Sequence, residues 1–369
     1  MQTNRRLWLK YAGLGMAGIG LTGFRSYVSP VEDYVSKNTG VAGQPVILRS
    51  NENPYGPSPL ARKAFADNAS MSNRYHWSIA SQLVAEIAAK SHIAEENILL
   101  GAGSTEILDL SAKLAAVSKG NYVIADPTYD YWTVTLDHLG MQKIKVPLAD
   151  DKRVDLQAML SAINGDTKLV YICNPNNPTG TTCERDALVE CISATPRNTI
   201  ILIDEAYLDF TKQQSLCSLV NDFPNMVVAK TFSKIYGLAG ARIGYAIAGK
   251  AMIGKLANLQ SNTNNSVSVL SKLAAIASLK DDRFVSDCRS LNESARKYTI
   301  TALEKSGCTC IPSDTNFIYF SLSAYKKDYF GQLENNRIQG TRIYEDQGKW
   351  TRITVGTMEE MKMFIKAIQ

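Results

Sequence analysis

The feature that most constrains the fold is a series of short apolar runs, rich in β-branched residues, separated by segments of helical pattern. The runs lie at 122–125, 169–172, 200–203 and 226–229. The helical segments lie at 107–117, 155–164 and 184–194. Apolar strands that alternate with helices are typical of a parallel sheet buried on both faces. The sequence therefore predicts an α/β domain with a mostly parallel central sheet flanked by helices.

The pattern changes after Gly249, where long helices and a few short strands replace the alternation. Helices are predicted at 265–280 and 282–306. Strands follow at 316–321, 341–344 and 351–355, and then a last helix. This part indicates a smaller α+β domain, and a length of 369 residues is typical of two domains.

Composition excludes several kinds of site. Lys and Arg number 40 and Asp and Glu number 35, and the resulting net charge of +5 is too small to indicate a nucleic-acid-binding protein. The three histidines are scattered and the seven cysteines form no CxxC pair, so we expect no metal site. A chain of this length can bury a core that needs no disulfide for stability.

Most of the net positive charge, +4 of +5, comes from residues 1–29, which contain Arg5, Arg6, Lys10 and Arg25 and no acidic residue. Paired arginines ahead of a weakly apolar stretch resemble a twin-arginine export signal. The alternative is a basic N-terminus that is not a targeting signal. The stretch is too short for a typical membrane span, so no stable span is expected. We predict export to the periplasm, and otherwise a cytoplasmic location. The glycines at 13–18 fit G-x-G-x-x-G, but no strand precedes them, so we reject a dinucleotide site.

Polar clusters follow the predicted strands, and in open α/β sheets chemistry collects beyond the carboxyl ends of strands. Gly103, Ser104 and Thr105 form a glycine turn that opens a helix. The free N–H groups there either bind a phosphate or are capped by Ser104 or Thr105. Tyr129 follows the run at 122–125 and either stacks on a flat ring or packs in the core.

Two further clusters hold an amide and an acid. Asn177 lies in the N-P-N-N-P-T-G stretch at 174–180, which either holds an asparagine side chain at a set angle beside a cis bond or forms only a stiff turn. Asp204 directly follows a buried run. It stays charged there only beside a cation, unless it lies at the surface. Tyr207, three residues on, is placed to reach the same ligand.

The last cluster combines hydroxyl, amine and guanidinium groups in Thr231, Ser233, Lys234 and Arg242. A lysine directly after a serine and eight residues before an arginine suits a Schiff-base amine beside an anion site. The alternative is a charged surface loop.

In this order and spacing, the clusters resemble the fold type I pyridoxal-phosphate enzymes, the class I and II aminotransferases, and among them the histidinol-phosphate aminotransferase branch. Further similar elements are SNENPYGPSP at 50–59, NRY at 73–75 and TRITVG at 351–356. The resemblance implies the fold type I architecture. Its expected parts are a signal or anchor at 1–29, an N-terminal arm at 30–75, a large cofactor-binding domain at 76–255 and a small domain at 256–369. The arm would contribute to the small domain and to a dimer contact.

The resemblance implies pyridoxal 5′-phosphate as the cofactor. Lys234 would bind it as an aldimine and, once displaced, would move the Cα proton. Asp204 would pair with the pyridine nitrogen. Asn177 and Tyr207 would bond its phenolic oxygen, and Tyr129 would stack on its ring. The phosphate would be held by Gly103, Ser104, Thr105, Thr231, Ser233 and Arg242.

Substrate contacts and a homodimer are also implied. Arg352 would clamp the substrate α-carboxylate in bidentate fashion, which a lysine would do less well. Asn53 and Tyr55 would contact the substrate. Tyr75 would reach the cofactor phosphate of the neighbouring subunit, so the two subunits would share their active sites.

One position departs from the histidinol-phosphate branch, which usually has an arginine where Tyr344 stands. Arg342 lies two residues earlier, on the same strand face, and could substitute for it. Tyr344, Tyr55 and Trp77 would suit an aromatic or uncharged side chain. The expected substrate is therefore an unphosphorylated amino acid, with a histidinol-phosphate-like amine as the alternative.

The function implied is an aminotransferase that moves an amino group from an amino acid to a 2-oxo acid by ping-pong half-reactions. One alternative is a decarboxylase of the threonine-phosphate type on the same scaffold, because the two reactions differ only in which Cα bond stands perpendicular to the ring. The other is a non-catalytic binding protein, which the presence of Lys234, Asp204 and Arg352 disfavours.

Overall fold

The computed structural model describes residues 45–369. The predictions for 1–29, for the glycine motif at 13–18 and for 30–44 of the expected arm lie outside the described residues. The strands are β1 (Val46–Ile47), β2 (Ile98–Gly101), β3 (Asn121–Asp126), β4 (Gln142–Pro147), β5 (Thr167–Cys173), β6 (Ile200–Asp204), β7 (Met226–Thr231), β8 (Gly244–Ala248), β9 (Thr309–Cys310), β10 (Phe317–Ser321), β11 (Ile338–Gln339), β12 (Ile343–Glu345) and β13 (Trp350–Thr354). The helices are α1 (Pro59–Asn68), α2 (Ser78–Ser91), α3 (Ser104–Ala115), α4 (Val134–His138), α5 (Leu156–Ala162), α6 (Arg185–Ala194), α7 (Lys250–Ala257), α8 (Val269–Leu279), α9 (Asp282–Lys305), α10 (Tyr329–Asn335) and α11 (Met358–Ile368).

Seven strands form the large sheet in the order β2-β8-β7-β6-β5-β3-β4. The strands from β3 to β7 pair in parallel, whereas β8 runs antiparallel to both of its neighbours, β7 and β2. It follows that β2 has the direction of the five parallel strands and that β8 alone is reversed in this sheet. The predicted mostly parallel sheet with flanking helices is confirmed.

Three strands of this sheet are absent from the sequence prediction, each for its own reason. β2 ends in Gly101 and looks like the start of the glycine turn that follows it. β4 is an edge strand in which Lys143 and Lys145 alternate with apolar residues. β8 contains glycine and two alanines, which have weak strand propensity.

Both faces of the large sheet are covered. Alternate residues of a strand point to opposite faces. Val170 and Ile172 of β5 enter one apolar cluster, and Leu169 and Tyr171 enter another. Helices α1, α2, α5, α6 and α8 contribute to the first cluster, and α3, α4 and α7 contribute to the second. Polar side chains therefore gather at the carboxyl ends of the strands.

The C-terminal part forms a second sheet of four antiparallel strands in the order β12-β13-β10-β9. β1 pairs in parallel with β11 beside it. Leu48, Phe320 and Phe364 share the apolar cluster of this unit. The chain just before the 50–59 motif therefore packs with the C-terminal unit.

Packing places the change between the two units inside α9. Ala275 of α8 and Phe284 of α9 belong to the cluster of the large sheet. Ala295 and Leu303, further along α9, belong to the cluster of the smaller sheet. The expected boundary at 255/256 differs from this packing because a helical pattern does not tell which sheet the apolar face covers.

Within residues 45–369, no helix is long and apolar enough to cross a bilayer. The same residues contain no group of three or more His, Cys, Asp or Glu side chains that could hold a metal ion. All seven cysteines are free thiols, and six of them are buried.

Candidate active site

The carboxyl ends of β5, β6 and β7 and the start of α3 surround a cavity of about 310 Å³. Nine of the residues singled out in the sequence line it: Ser104, Thr105, Tyr129, Asp204, Tyr207, Thr231, Ser233, Lys234 and Arg242. They meet because parallel strands end at the same edge of a sheet.

One end of this cavity is built to hold an anion. Helix α3 begins at Ser104, and its N-cap is Gly103, so neither Ser104 nor Thr105 caps the helix. The N–H groups of the first helical turn and the helix dipole favour a negative charge there. Gly103 has φ +78°, and a Cβ added to it would lie 2.4 Å from a terminal nitrogen of Arg242. The glycine therefore keeps both the backbone and the guanidinium close to the anion position.

Arg242 is held in place by the loop that carries Lys234. Its guanidinium donates to the Ala239 carbonyl at 2.9 Å and to Ser233 Oγ at 3.4 Å. The Thr231 hydroxyl donates to Ser233 Oγ at 2.9 Å. A guanidinium and two hydroxyl groups thus converge beside the N-terminus of α3, a donor set that suits a phosphate.

Asp204 is a buried carboxylate that lines the cavity, so the alternative of a surface acid is wrong. Tyr171 donates to its Oδ2 at 3.1 Å, and the backbone N–H of Ala206 donates to its Oδ1 at 3.0 Å. Burial raises the pKa of Asp204 to about 6, although these donors and the charge of Lys234 act to lower it. A cationic ring nitrogen in the cavity would compensate the charge of this carboxylate.

Lys234 lines the same cavity and is half-buried. Its Nζ donates to the Ser50 carbonyl at 3.1 Å and lies 5.4 Å from the centre of the Tyr207 ring. Burial and then the positive charge of Arg352 lower the pKa of Lys234 to about 8. A substantial fraction of its amine is therefore neutral near pH 7 to 8 and able to react with a carbonyl.

A hydrogen-bonded chain connects Tyr207 to Arg352. The Tyr207 hydroxyl accepts from Asn51 Nδ2 at 3.1 Å and from Asn177 Nδ2 at 3.4 Å. Asn177 Oδ1 accepts from Arg352, which also donates to the Arg49 carbonyl at 2.6 Å. The Nε of Arg352 is buried and has no partner. The peptide bonds before Pro175 and Pro178, on either side of this asparagine region, are cis.

A second cavity of about 680 Å³ opens beside the first and shares Ser50, Tyr129, Tyr207 and Lys234 with it. Asn177 and Arg352 line it. The other lining residues include Tyr131, Phe330, Arg342 and Tyr344. The guanidinium carbon of Arg342 lies 5.3 Å from the Tyr344 ring centre and 5.8 Å from that of Tyr131.

Three of the predicted site residues lie away from both cavities. Asn53 donates to the Ile235 carbonyl at 2.7 Å and so supports the lysine loop from outside. Tyr55 is packed in the core of the large domain, 4% exposed. The prediction that these two contact substrate is therefore not supported by their positions. Tyr75 is 76% exposed and stacks on Trp77, with ring centres 4.7 Å apart.

Two polar partners of the site are not among the residues predicted from the sequence. Asn51, with φ +52°, bonds Tyr207 and also accepts from the Thr354 hydroxyl at 3.1 Å. Tyr171 bonds Asp204 from a neighbouring strand. A tyrosine inside an apolar strand is a signal that could have identified the second, because a buried phenol needs a partner.

These features fit pyridoxal 5′-phosphate. The anion cradle at Gly103 and Arg242 suits its phosphate, and the buried Asp204 suits its ring nitrogen. Lys234 offers an amine of lowered pKa to its aldehyde.

Comparison with known proteins identifies the family. The family described as aminotransferase class I and II matches residues 44–368. The chain belongs to the class I and II aminotransferases. It is 34% identical over 345 residues to a histidinol-phosphate aminotransferase of Moorella thermoacetica, covering 92% of this chain and 88% of the relative. It is 30% identical over 332 residues to an aromatic amino acid aminotransferase of Thermobifida fusca, covering 89% and 91%.

A solved structure agrees with this family. The histidinol-phosphate aminotransferase of Sinorhizobium meliloti, in complex with pyridoxal-5′-phosphate, has a TM-score of 0.81 and 25% identity to this chain. The likeness covers 95% of this chain and 97% of that one. This aminotransferase is therefore a pyridoxal-phosphate-dependent enzyme of fold type I, and the predicted family, fold, cofactor and reaction class are confirmed. Decarboxylation is less supported than amino transfer.

Proposed function

We propose that the first cavity holds the cofactor, that the second holds the substrate, and that Lys234 acts between them. The observation that carries this assignment is that Lys234 lines both cavities. Bound pyridoxal 5′-phosphate supplies an aldehyde that links to amines and a ring that takes up the electron pair left at Cα. The residues of the chain bind, orient and move protons around it.

Lys234 Nζ is the proton carrier in this proposal. Its pKa of about 8 lets the amine accept a proton from the substrate Cα and return one during the same half-reaction. Arg352 contributes to this through its positive charge, which disfavours the protonated form of Lys234. Asp204 keeps a proton on the ring nitrogen, and Tyr207 with Asn177 orients the phenolic edge of the cofactor.

Arg352 binds the α-carboxylate of the amino acid. Its guanidinium lines the second cavity and is held by Asn177 and the Arg49 carbonyl. The unpartnered Nε is a further donor for a carboxylate that enters. Because one arginine would serve an amino acid and then a 2-oxo acid in turn, the arrangement suits a ping-pong exchange between them.

The side-chain pocket supports an aromatic amino acid as the substrate. Tyr131 and Tyr344 contribute aromatic rings to the second cavity. The resemblance to histidinol-phosphate enzymes implies an arginine at the position of Tyr344. Aromatic rings of protein and substrate stack favourably. The aromatic amino acid aminotransferase of Thermobifida fusca is a relative whose name agrees with this proposal.

Histidinol phosphate is the second candidate, and Arg342 is the observation that favours it. Its guanidinium lines the same cavity and could bind a phosphate from a position two residues before the usual arginine. The Moorella thermoacetica relative is named for this substrate.

Profiling of amino donors decides between the two candidates. Purified enzyme is offered aromatic amino acids and histidinol phosphate, each with 2-oxoglutarate, and both oxo product and carbon dioxide are measured. We expect the highest kcat/KM for an aromatic donor and no carbon dioxide. Efficient turnover of histidinol phosphate together with neglect of aromatic donors would contradict the first candidate.

A homodimer with shared sites is supported by the exposed stack of Tyr75 on Trp77. A Lys234→Ala subunit paired with a Tyr75→Ala subunit would contain one intact site if Tyr75 serves its neighbour. We expect mixing of these two variants to raise activity above the mean of the parents. Mixing Lys234→Ala with Asp204→Ala is the control, because both residues lie in one cavity and every mixed site would be defective. If neither mixture has more activity than the mean of its two parents, shared sites are contradicted.

Export is supported by Arg5 and Arg6 ahead of the apolar stretch at 11–24. The twin-arginine route carries folded proteins, which agrees with an enzyme that acquires its cofactor before export. The Arg5→Lys/Arg6→Lys variant is expected to stay in the cytoplasm, as measured by cell fractionation. An unchanged location would overturn this proposal.

A further inference from the structure

A buried tyrosine on the strand next to Asp204 donates a hydrogen bond to its carboxylate. Tyr171 lies in β5 with no exposed surface, and its hydroxyl is 3.1 Å from Asp204 Oδ2. In the sheet register the partner of Asp204 is Cys173, so Tyr171 is its diagonal neighbour on the same face. Diagonal neighbours lie within reach of long side chains. With the N–H of Ala206 on Oδ1, each carboxylate oxygen has one donor from the protein.

Beyond the packing of its ring, Tyr171 bonds the Asp204 carboxylate and the Cys173 thiol through its hydroxyl, and both of these groups line the first cavity. Its ring lies in the apolar cluster of one sheet face and meets Trp132 edge-on at 5.0 Å. A phenylalanine would fill the same space. A buried hydroxyl is unfavourable unless it is hydrogen-bonded. The phenol therefore points to a function at Asp204.

We propose that Tyr171 is a positioning residue that directs the Asp204 carboxylate toward the pyridine nitrogen of the cofactor and keeps the shared proton on that nitrogen. The inference rests on the role given to Asp204 in the proposed function. The carboxylate and the nitrogen compete for one proton. A hydrogen bond donated to the carboxylate weakens its hold on the proton, so the nitrogen keeps it and the ring remains electron-poor.

The other groups that face Asp204 come from several strand ends. They are the thiol of Cys173, the phenols of Tyr129 and Tyr207, the carboxylate of Glu205 and the amine of Lys234. The charge of Glu205 acts against ionisation of Asp204, but Lys230 pairs with Glu205 at 3.1 Å. The Tyr171 hydroxyl can be removed without changing any charge in this group.

Tyr171→Phe tests the proposal, with Tyr122→Phe as a matched control. Tyr122 lies in β3, is also fully buried in the same cluster, and donates to a carboxylate, that of Asp137, at 2.5 Å. Asp204 lines the first cavity, whereas Asp137 lines neither cavity. For Tyr171→Phe we expect about tenfold weaker binding of pyridoxal 5′-phosphate and about tenfold lower kcat, with little change in KM. The visible absorption of the holoenzyme is also titrated with pH, and the pH at the midpoint of its change should rise. Tyr122→Phe should leave cofactor affinity, kcat, KM and the pH midpoint unchanged.

Asp204→Asn separates this inference from the proposed function. If Asp204→Asn binds the cofactor and turns over like the wild type, the role of Asp204 is wrong. If Asp204→Asn is impaired but Tyr171→Phe matches Tyr122→Phe, only the inference on Tyr171 is wrong. In the Asp204→Asn background, Tyr171→Phe should have no further effect on the pH midpoint or on cofactor affinity. An equal loss of affinity in both backgrounds would show that Tyr171 has only a structural role.

Discussion

Burial displaces the pKa values of Lys234 and Asp204 toward neutrality from opposite sides, because it disfavours the charged form of each. The amine must lose its proton before it can attack the cofactor aldehyde. We therefore expect the rate at which the apoenzyme captures pyridoxal 5′-phosphate to rise with pH and to level off above about 8. In Arg352→Gln the midpoint should move to higher pH, since a positive charge near Lys234 is lost. Stopped-flow absorbance measures both, and a wild-type midpoint near the ordinary lysine value of 10.5 would contradict the assignment.

Binding of the α-carboxylate is expected to require the planar guanidinium group of Arg352 as well as its charge. Arg352→Lys keeps the charge but loses the bidentate pair, so kcat/KM should fall about 10- to 100-fold for every amino donor. Arg153→Lys is the control, because Arg153 is half exposed and pairs with Asp151 outside both cavities. Steady-state kinetics with several donors measures the effect. A loss restricted to one class of donor would show that Arg352 reads the side chain instead of the α-carboxylate.

At the residue scale, site residues can be predicted from the sequence where their motif lies at the end of a predicted strand. Asp204 is the last residue of β6, Lys234 lies three residues after the end of β7, and both reach the cavity. The 50–59 segment has no periodicity that tells which side chain turns inward. Its backbone turns at Asn51, with φ +52°, so Asn51 faces Tyr207, whereas Asn53 and Tyr55 do not reach the cavities.

At the element scale, the N-terminus of α3 and the loop after β7 approach each other closely because Gly103 has no side chain, and together they would form the proposed phosphate site. Gly103→Ala should weaken cofactor binding by about 10- to 100-fold, since its Cβ would displace the Arg242 guanidinium. Gly140→Ala is the control, because Gly140 has a similar φ of +79° but nothing within 4 Å of an added Cβ. Both variants should lose folding free energy because of their positive φ. Gly103→Ala should lose more of it, about 1–3 kcal/mol, because φ +78° with ψ 168° is a region open essentially to glycine only. Only Gly103→Ala should lose affinity for pyridoxal 5′-phosphate. Affinity for pyridoxal 5′-phosphate is measured by equilibrium dialysis. Equal affinity of the two variants would contradict the proposal that Gly103 and Arg242 together bind the phosphate.

The elements predicted from the sequence are those with a strong local pattern. The β-branched runs became β5, β6 and β7, and the long helical patterns became α8 and α9. β8 lacks such a pattern because its small residues allow close approach to the start of α3. A Cβ on Gly244 would lie 2.4 Å from the Ser104 nitrogen. That requirement comes from the packed fold and leaves no periodic trace in the sequence.

At the scale of the whole molecule, α9 spans the two units, with Phe284 in one apolar cluster and Leu303 in the other. Arg352, on β13 of the smaller sheet, meets Asn177, which follows β5 of the larger one. The second cavity, which we propose binds the substrate, therefore depends on both units. The sequence predicts two units from the change in pattern after Gly249, but their shared helix and shared site follow from contacts between distant residues.

The central claim is that Lys234 and Arg352 serve an amino-transfer half-reaction. Its most direct test is a single half-reaction: holoenzyme is mixed with an amino acid donor without any 2-oxo acid, and oxo product and carbon dioxide are both counted. We expect one oxo acid per active site, no carbon dioxide, and a second equivalent only after a 2-oxo acid is added. Release of carbon dioxide, or continued turnover without an acceptor, would contradict the account.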